Sequence, residues 1–198
     1  MKAMIYKLVA CMAIIIIVST VCNAQPSRSG RMEIGASLLF LDGETIKVDN
    51  RKIEEDDWFM YGVTLGKNIN DNFNINSEVV YGKVDVDVVG LPAGTSIDAE
   101  QETVLWLFNL DYNILSGPLT PYVSGGLGYG YSNAEVEYTT PDETTVKFDD
   151  DVAGLAYTVA FGGRWDIGDN FLQAAYRIVW DDEGDRRSGI GVEGGFLF

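Results

Sequence analysis

Eight stretches of this chain alternate, residue by residue, between bulky apolar side chains and small or polar ones, and in each of them one face carries no charge. A period of two puts successive side chains on opposite faces of a strand, so each stretch has a greasy side and a wet side. Met32, Ile34, Ala36, Leu38 and Phe40 oppose Arg31, Glu33, Gly35 and Ser37. From Trp58 to Gly66 the apolar set is Phe59, Tyr61, Val63 and Leu65, and a third stretch sets Phe73, Ile75, Val79 and Tyr81 against Asn74, Asn76, Glu78 and Gly82. Val104, Trp106, Phe108, Leu110 and Tyr112 oppose Thr103, Asn109 and Asp111. Pro121 to Tyr131 places Val123, Leu127, Tyr129 and Tyr131 opposite little more than Ser124, Gly126, Gly128 and Gly130. Leu155, Tyr157, Val159, Phe161 and Trp165 face away from Ala156, Thr158, Ala160, Gly162 and Arg164. Leu172, Ala174, Tyr176, Ile178 and Trp180 face away from Gln173, Ala175 and Arg177, and the chain ends with Ile190, Val192, Phe196 and Phe198 against Gly191, Glu193 and Gly195.

The connections alternate between two kinds. Short polar ones at 67–72, 113–120 and 166–170 are rich in Asn, Asp, Gly or Pro, as turns require. Long acidic ones occupy 42–57, 85–102, 132–151 and 181–187. A soluble barrel also uses about eight alternating strands, but it keeps its bulk inside. Here the charge-free face carries nearly all the bulk, and the opposite face is expected to hold too little apolar volume for a hydrophobic core. The pattern therefore predicts an all-β fold: an eight-stranded antiparallel up-and-down transmembrane β-barrel, with bulk toward lipid and small or polar residues in a narrow lumen. A charge on the lipid face would cost about 2–4 kcal/mol at mid-depth, which accounts for its absence there. Aromatics near the strand ends are expected to form two interfacial girdles: Phe73, Tyr112, Trp165 and Phe171 on the turn side, and Phe40, Phe59, Tyr81, Tyr131 and Trp180 on the loop side.

Residues 1–24 read as a cleaved export signal, with Lys2 and Lys7 before an apolar run and Cys22-Asn23-Ala24 at the cut, and residues 25–198 as one barrel domain. The apolar run is shorter than the ~20 residues of a spanning helix, and Val21 is a poor residue to precede a lipidated cysteine. Both cysteines, Cys11 and Cys22, fall in the signal, so the exported chain is expected to hold no disulfide. The 14 basic residues face 30 acids, and losing Lys2 and Lys7 leaves 12 against 30, a net of −18. Such a chain repels phosphate backbones, which excludes nucleic acid as a partner.

With these residues in view, the chain resembles the small outer-membrane barrels of the OmpA/opacity type. Pro121-Tyr-Val-Ser-Gly-Gly-Leu-Gly-Tyr-Gly130 is similar to the glycine-rich fifth strand of those barrels. Phe196 and the terminal Phe198 resemble the signal read by the barrel-insertion machinery during assembly. The resemblance implies a monomer in the bacterial outer membrane, in contact with its lipid and lipopolysaccharide.

The candidate site residues lie in the lumen and at the loop bases. Strand order and depth predict that Arg177 pairs with Glu193 on the adjacent strand, with Glu78 reaching Arg177 across the barrel, and that Arg164 meets Asp111 or Glu33. The expectation is a polar plug that satisfies charges, since eight strands leave room for little more than side chains; the other reading is a gate. Asp149, Asp150, Asp151, Asp181 and Asp182 are candidates for Ca²⁺ or Mg²⁺ bridging to lipopolysaccharide phosphates, and Arg186 and Arg187 for direct phosphate contact; the acidic loops equally suit solubility alone. The chain contains no histidine, which removes the usual general base, so catalysis is not expected, nor is a cofactor or dedicated metal site. The sequence favours a structural or surface-interaction role with acidic external loops, and offers a small passive channel for ions or hydrophobic solutes as the alternative.

Overall fold

The computed structural model describes residues 27–43, 45–48, 51–89, 91, 95–142, 144–181 and 184–198; the predicted signal, 1–24, lies outside them. Among the described residues ten strands follow in chain order: β1 (Met32–Leu41), β2 (Thr45–Val48), β3 (Arg51–Glu55), β4 (Trp58–Asn68), β5 (Phe73–Val89), β6 (Ser96–Asn113), β7 (Leu119–Thr139), β8 (Thr145–Ile167), β9 (Asn170–Asp181) and β10 (Arg186–Leu197). Eight of these close a ring in which β1, β4, β5, β6, β7, β8, β9 and β10 each pair antiparallel with the next. The seam is β10 against β1, with Ile34 opposite Phe196. Met32 and Phe198 exchange backbone hydrogen bonds at 2.8 and 2.9 Å. Closure leaves the ring without an open edge at membrane depth, where an unpaired backbone group has no water to turn to.

Each of the eight alternating stretches falls in a ring strand, and the charge-free face points outward. Val63 and Leu127 are both 62% exposed, while Glu78 on the other parity is 1% exposed. Phe196 and Phe198 also project outward from the seam strand. Phe171 is a correction to the predicted girdle: it shares parity with Gln173 rather than Leu172, is buried, and lies 4.3 Å beneath the guanidinium of Arg164. On the inner face of β7 glycine is needed at Gly128, where a Cβ would run into the Trp106 carbonyl and lie 2.8 Å from the Leu107 Cα. The β8–β9 connection needs Gly168 for a different reason, a φ of +63°.

Two further expectations are overturned. The inner face does build a hydrophobic core: Leu39, Leu41, Trp58, Met60, Val80, Val84, Leu105, Leu107, Ala156 and Val179 form one buried cluster. These residues share inward parity but occupy only the outer half of the barrel, leaving the polar residues to fill the inner half. The long acidic connections, in turn, are mostly strand. Lengths of 17, 18, 21 and 23 residues for β5 to β8 compare with 10 to 12 for β1, β4, β9 and β10. A span needs about 9–11 residues, so one wall continues outward by on the order of 30 Å at about 3.3 Å per residue. The β2–β3 hairpin leans on this wall through β3 and β5.

Candidate functional site: a filled lumen and a projecting acidic wall

Arg164 organises the periplasmic end. It makes 2.9 Å ion pairs with Glu33 of β1 and Asp166 of its own strand, and all three side chains are about 98% buried. Arg28, in the lead before β1, brings a second guanidinium to Asp166 at 3.3 Å. Asn68 donates to Glu33 at 3.1 Å. Two arginines thus face two carboxylates in a closed space, an arrangement that meets most of the desolvation penalty of each charge. The lead is held below by Asp71, in the β4–β5 turn, which accepts from the Ser27 hydroxyl and from the Arg28 and Ser29 amides. The Ser27 hydroxyl foremost, then those amides, holds the Asp71 carboxyl below its usual value of 3.8.

At mid-depth the structure joins Arg177 to Glu78 at 2.6 Å, across the barrel. The predicted Arg177–Glu193 pair does not form. The β9–β10 register sets Glu193 opposite Gln173 and Arg177 opposite Gly189, four residues further out. Glu193 accepts instead from Thr64 and Gln173, both at 2.5 Å. Asp111 does not join Arg164 either; it accepts from Asn76 at 2.8 Å, and Asn76 accepts from Asn109 at 2.9 Å. Between Ser37, Glu78, Gln173, Arg177 and Glu193 remains a void of about 10 Å³, the volume of about one water.

Above this layer the lumen turns apolar. Leu39, Met60, Val80 and Leu107 are at most 1% exposed and close over Glu78 and Arg177. Sequence reasoning missed this second seal, although the parity that places Ser37 and Glu78 inward also places Leu39 and Val80 there. It also missed Arg28, Asp166 and the rim contact of Trp58, Glu55 and Arg187. In that contact Glu55 accepts from Trp58 Nε1 at 2.8 Å and from Arg187 Nη2 at 3.0 Å, and the guanidinium lies 5.1 Å from the Trp58 ring centre.

The projecting wall is acidic. Asp56, Asp85, Asp98, Glu100, Glu135 and Glu137 line a cleft of about 400 Å³. Lys83 pairs with Glu100, and Lys147 with Glu137, which raises the lysine's affinity for its proton. Asp151 accepts from Tyr131 at 2.9 Å and Asn133 at 2.8 Å. Asp149, Asp150 and Asp151 follow one another along β8, and Asp181 ends β9; Asp182 lies outside the described residues. Among the described residues no three acids or other ligating side chains come together as a metal would require. Arg186 is exposed at the start of β10.

Residues 12–197 match the model of the outer membrane protein β-barrel domain. No curated protein sequence matches the chain. Among solved structures the chain is similar to the outer membrane protein OprG from Pseudomonas aeruginosa, at 18% identity over 89% of this chain and 99% of that one, with a TM-score of 0.54. Neisserial surface protein A is similar at 16% identity over 84% and 97%, with a TM-score of 0.53. Ail, the attachment invasion locus protein of Yersinia pestis, in complex with the heparin analogue sucrose octasulfate, is similar at 15% identity over 86% and 99%, with a TM-score of 0.50.

Proposed function

The chain belongs to the outer membrane protein β-barrel domain family, and on that premise we propose that it is a non-conducting, non-enzymatic surface-contact protein of the bacterial outer membrane. The observation that carries this reading is the doubly filled lumen: an ion-paired layer on Arg164 and Arg177, capped by the apolar layer of Leu39, Met60, Val80 and Leu107. With little space for solute to cross, activity falls to the part that leaves the membrane, the wall of β5 to β8.

That wall selects partners by charge. Ail is described in complex with a polysulfated heparin analogue; a wall lined by Asp85, Asp98, Glu100, Glu135 and Glu137 repels such a polyanion and favours cationic chemistry. Near the membrane the acids contact lipopolysaccharide phosphates through divalent cations, and further out they meet basic ligands. The test uses the exported chain in nanodiscs. Octalysine is expected to bind with an affinity that falls as salt rises, and sucrose octasulfate is expected not to bind. Replacing Asp98, Glu100, Glu135 and Glu137 by their amides should weaken octalysine at least tenfold, and Mg²⁺ should raise, and EDTA remove, association with lipopolysaccharide vesicles. Steady single-channel openings in planar bilayers, or octalysine binding indifferent to the four substitutions, would defeat the reading.

A further inference from the structure

We propose that the outer mouth of the barrel is a blind binding site for a neutral alkyl chain, a role separate from the charge contacts of the wall. The mouth holds a cavity of about 100 Å³ whose apolar lining includes Leu41, Trp58, Met60, Leu105, Ala156 and Val179. The residues beneath, Leu39, Val80 and Leu107, are fully buried and give it a floor rather than an exit. A cavity of about 150 Å³ with such a lining takes benzene in preference to water, so this one suits a segment of a few methylene groups.

The cavity is open at the side of the outer rim as well as upward. Pairing of β8 with β9 stops at Ala156 and Asp181, whereas β8 stays paired with β7 as far as Thr145. Gly154 and Leu155 therefore have no β9 neighbour among the described residues. Leu155 and Trp180, whose side chains take the lipid-side parity, line this cavity that the inward-facing residues otherwise enclose. An acyl chain can enter through that notch, and a free solute from above.

The rim sets the head group. Arg187 is neutralised by Glu55 at 3.0 Å, and Asp181 and Asp185 stand at the same mouth, so an anionic head is repelled. The site thus takes an alkyl chain with an uncharged head, such as an alcohol.

The experiment photolabels the exported chain in phosphatidylcholine nanodiscs with diazirine-bearing hexanol and, separately, with a phosphatidylcholine carrying the diazirine on a short acyl chain. Labelling is expected on Leu41, Met60, Leu105 and Val179, besides the lipid-facing Val63 and Leu127. Hexanol labelling alone identifies a soluble source, and labelling by the lipid identifies the membrane. Two variants fill the cavity, Ala156→Leu and Gly130→Leu; a Cβ at Gly130 meets only the movable Leu105 Cδ2, at 3.0 Å. Each should lower lumen labelling at least tenfold while leaving Val63 and Leu127 labelled as before, which also reports a folded barrel. Labelling restricted to the lipid face, lumen labelling unmoved by either filling, or hexanoate competing as well as hexanol would overturn the proposal.

Discussion

Arg164 holds two carboxylates at once in a space that water hardly reaches, so its removal acts mainly through what it leaves behind. Arg164→Met keeps much of the volume but strands Glu33 and leaves Asp166 to Arg28 alone, both carboxylates being about 98% buried. Breaking a buried pair in this way costs about 3–5 kcal/mol; the urea midpoint for unfolding from detergent or bilayer should drop accordingly. Adding Glu33→Gln should return part of that loss, because the stranded charge is gone. Asp71 is the opposite case, a half-buried carboxylate worth little in itself but tied to three donors of the lead. Its folded-state affinity for a proton is depressed, so its contribution is present above the ordinary value of 3.8 and is lost as pH falls through the lower folded value. Amide exchange at Arg28 and Ser29, corrected for its intrinsic pH dependence, should therefore accelerate on acidification below that point. In Asp71→Ala those amides should be unprotected already at neutral pH, with no further step; an unchanged acid step in that variant would assign the effect to another group.

Among the elements, β8 carries a long unpaired edge. From Thr145 to Leu155 it pairs with β7 on one side and has no strand on the other among the described residues. Such an edge invites a second copy to add on. Asp149, Asp150 and Asp151 lie along it, so two copies pairing there would oppose like charges, which is destabilising. Replacing the three by Ser should leave the barrel folded yet raise its self-association, visible as a dimer in sedimentation or crosslinking; a triple variant that stays monomeric at every concentration would show that another feature guards the edge. The same element explains what the sequence hid. The ring strands were legible because lipid forbids charge on one face, and that rule holds only at membrane depth. Beyond it Val84, Val86 and Val88 still alternate with Asp85 and Asp87, but acids are allowed on either face and depress strand propensity, so the outer halves of β5 to β8 read as loops.

For the whole molecule, the outward face was legible because it answers to a uniform solvent, and the charged residues of the lumen were legible in their membership and in part of their pairing. Glu33, Glu78, Asp111, Arg164, Arg177 and Glu193 all point inward, but partners are fixed by register around a closed ring, and a shift of four residues between β9 and β10 sends Glu193 to Gln173 instead of Arg177. The ring also stacks its two fillings in series, and a path through two barriers is limited by the tighter one. Arg177→Ala removes the cation from Glu78 but leaves Leu39, Met60, Val80 and Leu107 closed above it. Leu39→Ala with Leu107→Ala opens the apolar layer, at about 2–5 kcal/mol for each truncation, but leaves the ion-paired layer beneath. Neither variant should conduct steadily in planar bilayers, although both should unfold at lower urea than the parent. Combining all three substitutions with Arg164→Ala, which thins the ion-paired layer at the periplasmic end as well, in a barrel shown by its gel shift on heating to be folded, should produce openings that the separate variants lack. Steady openings from Arg177→Ala alone would mean that the apolar layer is no seal, and the surface-contact reading would lose the observation on which it stands.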